Sequence, residues 1–284
     1  EPLRIALLLG SIRQSEKAEI QRQLSEGHIQ LAIGTHALFQ EEVEIPQLAL
    51  AVVDEQHRFG VEQRAALQGK DIRPHLLAMS ATPIPRSLAL TLYGDLDIST
   101  LRELPGGRKS IKTRWLRSKS DRESGYQLIR EEVAAGRQAF VVCPFIEPSD
   151  QIDPRSATFE YERLRLGELK DLRLGLLHGR MSLADKQEVM EQVHAREIDV
   201  LVATPVIEVG IDVPNATVMM VESAERFGLS QLHQLRGRVG RGEYASHCFV
   251  LTDGAGTEAQ ERLQIIERTY DGFELSEEDL RIRG

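Results

Sequence analysis

Short apolar runs separated by mixed polar segments dominate the first hundred residues. The runs are RIALLL (4–9), IQLAI (29–33), LALAVV (48–53) and HLLAM (75–79). Near-continuous apolar runs are typical of parallel strands that are buried on both faces. Between the first two runs, charged residues alternate with Ala18, Ile20 and Leu24, which predicts a helix over 16–26 that ends at Gly27. This order predicts βαβ units in an α/β domain.

The alternation of apolar runs and helix-like segments resumes after residue 115. The segment ELPGGRKSIKTR (103–114) is rich in Pro, Gly and charge, which predicts a linker. The later runs are QAFVVC (138–143), LRLGLL (172–177), IDVLVA (198–203), ATVMMV (216–221) and HCFVLT (247–252). A helix is predicted over 182–196, with Ser182 and Asp185 as a capping pair. The pattern therefore predicts two α/β units in tandem.

Composition narrows the class of protein further. The chain has 284 residues, enough for two domains, and a net charge of −9. This negative net charge argues against a protein that coats nucleic acid through its overall charge, but it allows a local basic groove. The longest apolar runs are too short to span a membrane. Cys143 and Cys248 both lie in apolar runs, which predicts buried thiols and not a disulfide or a metal pair.

Polar stretches follow the apolar runs at the point where each predicted strand ends. They read GSIR, GTHAL, DEQH and SATP in the first half, and HGRM and ATPVIEVGID in the second. In an open parallel sheet, ligands bind beyond the carboxyl ends of the strands. This repeated placement predicts ligand sites at that edge of the sheets.

Asp54 and Glu55 follow the third apolar run directly. Nucleotide hydrolysis needs one carboxylate that holds Mg²⁺ through its waters and a second that polarises the attacking water. Asp54 fits the first role and Glu55 the second. Two alternatives stay open from these residues alone. One is a solvated turn, and the other is a metal hydrolase that also uses His57, although no HExxH spacing accompanies it.

A pair of arginines lies within the sequence QLRGRVGRG (234–242). Arg238 and Arg241 are three residues apart, so a helix would present both on one face. Converging guanidiniums suit the charge of a transferring γ-phosphoryl group. A solvent-exposed basic helix is the alternative, but Gly237 and Gly240 disfavour it, because each costs a helix roughly 1 kcal/mol against alanine. We therefore predict that Arg238 and Arg241 are arginine fingers.

Other polar residues carry a weaker signal on their own, because each also fits an ordinary turn or the margin of a core. They are His36, Ser80, Thr82, His178, Thr204, Gly210 and Asp212.

Taken together, these stretches resemble the motifs of superfamily 2 helicases in order and spacing. DEQH resembles motif II, SATP motif III, ATPVIEVGID motif V and QLRGRVGR motif VI. The longer words resemble the RecG family of branch-migration DNA helicases, and they read DEQHRFGVEQR, MSATPIPRSLALTLYGDLD, LHGRMS, VIEVGIDVPNAT and QLHQLRGRVGRG. Transcription-repair coupling factors have a similar motor, but their motif II more usually reads DEEH, so Gln56 favours the RecG family.

The resemblance implies a motor that uses ATP and Mg²⁺ on branched double-stranded DNA at forks and Holliday junctions. The implied catalytic residues are Asp54 (which would hold Mg²⁺ through water), Glu55, Gln56, His57, Arg238 and Arg241. Gln56 and His57 would link the nucleotide site to Ser80 and Thr82. The residues that would face the nucleotide are Gly210, Asp212 and Gln234. Those on the DNA track would be Gly34, Thr35, His36 and Thr204, while Arg236 would belong to motif VI.

The resemblance also implies the domain organisation. Two tandem RecA-like parallel-sheet domains would occupy residues 1–104 and 118–255, with a linker at 105–117 and the start of a helical-hairpin translocation element at 256–284. The sequence contains no GxxxxGK[ST], and Gly69-Lys70 is followed by Asp71. We therefore expect a first domain that is incomplete at its amino terminus, and a chain that is inactive alone. We further expect a monomeric, cytoplasmic, nucleoid-associated bacterial protein that does not bind membranes. A non-catalytic DNA- or partner-binding remnant is the alternative.

Overall fold

Parallel strands alternate with helices along the chain in the computed structural model. It describes residues 3–40, 42–55, 74–80, 97–101, 110–144, 156–205, 212–252, 254 and 256–283. The chain divides into two units, Glu1–Ala81 and Thr82–Gly284. Across the described ranges, no helix is both long and apolar enough to cross a membrane.

The first unit contains two pairs of parallel strands. Its elements are β1 (Ile5–Leu8), α1 (Gln14–Ser25), β2 (Leu31–Gly34), a 3₁₀ helix (His36–Phe39), β3 (Leu50–Val53) and β4 (His75–Ala78). Strand β1 pairs with β2, from Ile5 opposite Leu31 to Leu8 opposite Gly34, and β3 pairs with β4. Each predicted apolar run therefore contains a strand, as expected.

Helix α1 ends as its sequence predicts. Gly27 has φ +75°, in the left-handed region that glycine enters without a Cβ penalty. The N–H of His28 donates to the carbonyl of Gln23 at 2.9 Å, and the N–H of Gly27 donates to Leu24 at 3.1 Å. These two bonds form a Schellman motif, so the helix is closed by backbone groups that would otherwise lack partners.

The strands of the first unit are not buried on both faces, so that prediction is wrong here. Ile5 and Val52 keep 59% and 54% of their surface exposed, and their same-face neighbours Leu7 and Leu50 are similar. The buried core lies on the opposite face, where Leu8, Leu24, Ala37 and Val43 pack together. The continuous apolar runs thus provide a second apolar face that is half exposed in this structure.

The second unit is built on a six-stranded parallel sheet with the order β5-β10-β9-β6-β8-β7. The strands are β5 (Ile111–Leu116), β6 (Gln138–Val142), β7 (Leu174–Leu177), β8 (Val200–Ala203), β9 (Ala216–Val221) and β10 (Ser246–Leu251). The helices are α2 (Lys119–Ala134), α3 (Ala157–Leu166), α4 (Leu183–His194), α5 (Leu229–Arg236), α6 (Thr257–Arg268) and α7 (Gly272–Arg283), with a 3₁₀ turn at Ala224–Arg226. The predicted helix over 182–196 is confirmed, and the Ser182 hydroxyl accepts the N–H of Asp185 at 3.1 Å.

Both faces of this sheet are buried. Phe140 and Met219 belong to the core on one face, and Val141 and Met220 belong to the core on the other. The predicted burial of the two thiols is confirmed, since Cys143 and Cys248 are free and buried. Burial raises the pKa of both thiols, that of Cys248 to about 12.

The predicted linker at 105–117 is wrong for its second half. Residues 111–116 form β5, an edge strand that pairs with β10 from Ile111 opposite Ser246 to Leu116 opposite Leu251. Ile111 and Thr113 are buried whereas Lys112 and Arg114 are exposed. This alternation is typical of an edge strand with one solvated face. Lysine and arginine on that face made the segment look like a linker.

Candidate functional site

Polar residues that follow two strands of the first unit line one cavity. Gly34 ends β2, Thr35 and His36 follow it, and Asp54 and Glu55 follow β3. All five border a cavity of 1180 Å³ between these strands. The predicted DNA-track residues of this unit therefore lie beside its predicted Mg²⁺ and water residues.

Asp54 and Glu55 form a tight turn at the end of β3. The N–H of Glu55 donates to Oδ1 of Asp54 at 2.9 Å. Glu55 has φ +51°, which costs a residue with a Cβ roughly 1–2 kcal/mol. Backbone strain of this kind concentrates at functional sites. The turn leaves the Asp54 side chain exposed at the strand end, where a hydrated cation can reach it.

Four residues predicted to have functional roles in one or other unit lie outside the described ranges. They are Gln56, His57, Thr82 and Gly210. Ser80 is described and follows β4. The roles of these residues stay predictions.

Arg238 and Arg241 do not share a helix, so the helical prediction is wrong. Helix α5 ends at Arg236, and Gly240 has φ +72°. A Cβ on Gly240 would lie 2.9 Å from the Ile111 side chain of β5. The chain therefore leaves the helix and packs closely against the sheet, which only glycine allows at this position.

The structure brings Arg241 and Asp212 together. Their side chains form an ion pair at 2.9 Å between residues 29 apart in sequence, and Nε of Arg241 donates to the Gly237 carbonyl at 3.4 Å. The Asp212 side chain is 65% exposed and that of Arg241 is 31% exposed. Exposed pairs contribute at most about 1 kcal/mol, so this guanidinium can exchange its carboxylate partner for another anion at little cost.

The side chain of Arg236 is buried, which the sequence did not distinguish from the neighbouring arginines. Its side chain is 2% exposed and donates to the carbonyls of Ile266 and Thr269 at 3.1 and 2.8 Å. The guanidinium also lies 4.5 Å from the centre of the Tyr270 ring. Burial lowers the pKa of Arg236. Arg236 thus anchors the turn between α6 and α7 to α5, whereas Gln234 and Arg238 on the same segment are only half-buried.

Two polar side-chain atoms at the carboxyl ends of β7 and β8 are buried and have no hydrogen-bond partner in the part of the chain that the structure describes. Thr204 is 2% exposed, and its hydroxyl has no hydrogen bond within the described residues. His178 lies beside Thr204 on the neighbouring strand end, because Leu177 of β7 is opposite Ala203 of β8. Nδ1 of His178 is likewise buried and unpaired among these residues. An unpaired buried polar atom costs about 1–3 kcal/mol, which is typical of a position that a ligand completes.

The two units match the two modules of one helicase class. Residues 2–91 match the DEAD/DEAH box helicase model, and residues 123–243 match the helicase conserved C-terminal domain. A solved structure of RecG bound to a three-way DNA junction is 46% identical, with a TM-score of 0.73 over 99% of this chain and 36% of that one. Yeast Dbp5 bound to RNA and ADP BeF3 shares the fold alone, at 12% identity and a TM-score of 0.62 over 99% of this chain and 73% of that one.

Curated relatives narrow the class to a family. The ATP-dependent DNA helicase RecG of Synechocystis sp. is 50% identical over 99% of this chain and 34% of its own length. The RecG proteins of Mycobacterium tuberculosis and Bacillus subtilis are 52% and 46% identical over 99% of this chain and 40% and 41% of their own lengths. The chain belongs to the RecG family of DNA helicases. It spans about a third to two fifths of the length of these relatives.

Proposed function

We propose that this chain is the motor core of an ATP-dependent DNA helicase that remodels branched double-stranded DNA. The observation that carries the proposal is the ion pair between Asp212 and Arg241. Two residues that the motifs assign to the nucleotide meet at 2.9 Å, although 29 residues separate them. Their exposure leaves the guanidinium able to turn toward a phosphate.

Asp54 and Glu55 would bind Mg²⁺ and position the attacking water in this proposed hydrolysis. Within the described residues there is no cluster of three or more His, Cys, Asp or Glu side chains that could hold a metal. Mg²⁺ at nucleotide sites needs no such cluster, because it keeps most of its waters and takes one or two carboxylates. The exposed Asp54 carboxylate fits this requirement. When bound, the ion neutralises phosphate charge, while Glu55 accepts a proton or a hydrogen bond from the attacking water.

Thr204 supports a DNA contact in the second unit. Its buried hydroxyl can donate to a phosphodiester oxygen, which would remove the cost of leaving it unpaired. Gly34, Thr35 and His36 would make the equivalent contacts in the first unit. Contacts of this kind hold the backbone without reading sequence, which suits a protein that moves along DNA.

We also propose that the chain alone hydrolyses no ATP. The 284 residues contain no phosphate-loop sequence, which in nucleotide hydrolases supplies backbone N–H groups and a lysine to the β- and γ-phosphates. Asp54 and Arg241 alone would bind a nucleotide weakly. DNA-stimulated hydrolysis by the purified chain, lost on Glu55→Gln, would contradict this.

The test of the function compares binding with hydrolysis in the complete gene product. Arg238→Ala should slow hydrolysis by about 10³-fold, because it removes charge stabilisation from the transition state. Junction binding should stay within about twofold, since the proposed role of Arg238 is at the transferring phosphoryl group and not on DNA. Arg165→Ala is the matched control, because that exposed arginine pairs with Glu162 on α3. If Arg238→Ala abolishes junction binding instead, Arg238 is a DNA contact and its proposed role is wrong.

A further inference from the structure

Two cations lie side by side on the edge strand β5. Lys112 and Arg114 are exposed, and they project from the same face of the strand because they are two residues apart. His247 is opposite Lys112 on the neighbouring strand β10 and is half-buried. We call Lys112, Arg114 and His247 the basic strip.

The two exposed cations of the basic strip form no ion pair with a carboxylate in the described part of the chain. Most other described arginines of this unit do form one. Examples are Arg137 with Glu132 and Arg173 with Asp199. The basic strip therefore presents positive charge that is not neutralised, on a chain whose net charge is −9.

Two carboxylates of α2 act on the basic strip but are bound to other groups. Glu132 pairs with Arg137, and Asp121 belongs to the capping box of α2. Burial lowers the pKa of His247, Glu132 opposes that shift, and the two exposed cations lower the pKa further. Their positive charge therefore acts on the neighbouring strand and is not cancelled by Glu132.

The basic strip lies far from the proposed DNA contact at Thr204. Strand β5 is at one end of the sheet, and β8, which Thr204 follows, is four strands away. At about 4.8 Å for each strand, this is a separation of about 19 Å. Lys112 is also near the amino end of its strand, whereas Thr204 follows the carboxyl end of β8. A ligand at the basic strip would therefore occupy a different part of the unit.

A nucleic-acid backbone fits the basic strip better than an acidic peptide does. Residues two apart on a strand are separated by about 7 Å, and phosphates of one DNA strand repeat about every 3.4 Å along the duplex axis. Lys112 and Arg114 can therefore reach two phosphates of one strand. A protein partner would need apolar anchors, but Leu116 and Phe249 on the same face are buried.

We propose that Lys112 and Arg114 bind the phosphate backbone of a second arm of branched DNA, while the Thr204 edge of the sheet holds the first arm. This inference rests on the proposed function. The competing explanation is that these charges only prevent pairing at the exposed sheet edge. The two explanations differ in whether removing the charges changes the affinity for DNA.

The first measurement follows binding of the complete gene product to a fluorescent three-way DNA junction over a range of salt concentrations. Each phosphate contact contributes about 0.9 to the slope of log K against log salt. The double variant Lys112→Ala/Arg114→Ala should therefore reduce that slope by about 1.8 and the affinity about tenfold in about 0.1 M salt.

Two further double variants control for charge and for folding. Lys112→Arg/Arg114→Lys keeps both charges and should bind the junction as the unsubstituted protein does. Arg165→Ala/Lys170→Ala removes the same charge from exposed residues of α3 and the turn after it, and it should leave the slope unchanged. A loss confined to the first variant would therefore come from the basic strip and not from net charge.

The second measurement compares the junction with a linear duplex. A duplex offers one arm, so Lys112→Ala/Arg114→Ala should keep duplex affinity within about twofold while junction affinity falls. ATP hydrolysis at saturating junction should also stay within about twofold, because the basic strip has no proposed contact with the nucleotide.

The outcomes separate the inference from the function on which it rests. A salt slope that does not respond to Lys112→Ala/Arg114→Ala would overturn the inference, and so would an equal loss of affinity for junction and duplex. If the slope is unchanged but a polyglutamate peptide binds in a way that depends on both cations, the basic strip is a protein contact. If the unsubstituted protein shows neither junction binding nor DNA-stimulated hydrolysis, the proposed function itself fails.

Discussion

Arg236 should behave as a structural residue although it lies among the predicted catalytic arginines. Replacing it with Met removes the donor of its two shorter carbonyl bonds, at 3.1 Å and 2.8 Å, while those acceptors stay buried. Each hydrogen bond from a charged donor contributes about 1.5–3 kcal/mol, and the buried methionine recovers part of the loss. We expect the free energy of unfolding to fall by about 3 kcal/mol. For a unit of this size, that lowers Tm by about 6–12 °C.

Urea unfolding followed by Trp115 fluorescence measures this loss, because the single tryptophan lies in β5 of the same unit. Arg236→Lys should lose less, about 1–2 kcal/mol, since an ammonium can keep one of the two bonds. Arg165→Met, an exposed arginine on α3, should lose no more than about 0.5 kcal/mol. If Arg236→Met loses less than about 1 kcal/mol, the guanidinium does not anchor the α6–α7 turn and the argument fails.

Three further substitutions test the rest of the second unit. Gly240→Ala should destabilise it by about 2 kcal/mol in urea unfolding, from φ strain and a clash with β5, whereas Gly136→Ala meets only the strain. Thr204→Val should leave Tm unchanged or higher but weaken junction binding by the complete gene product about threefold to tenfold; a lower Tm would show that its hydroxyl is already satisfied. Burial alone would raise the pKa of Asp199, but hydrogen bonds from Arg173 hold it below its usual value, so its stabilisation is present above about pH 3.9 and is lost as pH falls through the folded-state pKa. The stability difference between wild type and Asp199→Asn should therefore vanish in acid, and a difference independent of pH would contradict this.

All of the described strands except β5 could be predicted from sequence, because each of them lies in an apolar run of its own. The same periodicity placed the polar residues correctly, since a residue that follows a parallel strand must lie at the carboxyl edge of the sheet. Asp54 after β3 and Thr204 after β8 are examples.

Strand β5 could not be predicted, because its pairing partner is remote. Ile111 to Leu116 becomes a strand through β10, which begins at Ser246. Within the segment itself, Lys112, Arg114 and the preceding glycines indicate a solvated connection. Only the sheet supplies the hydrogen bonds that decide between the two structures.

The arginines of QLRGRVGRG were equally uninformative on their own. Sequence spacing placed Arg238 and Arg241 on one helical face, but α5 ends before them. Arg236 differs from both only in what packs around it, which depends on α6 and α7. The local pattern identified the segment, but only tertiary packing distinguishes the buried Arg236 from the more exposed Arg241.

The two buried thiols make this chain a ready background for site-specific labelling. Maleimide and disulfide reagents react with the thiolate, and burial holds Cys143 and Cys248 in the protonated form at neutral pH. A cysteine introduced on the exposed face of α7 and another beside β5 would therefore take up fluorophores without competition from the native residues. Energy transfer between those dyes would follow the distance between α7 and β5 in real time.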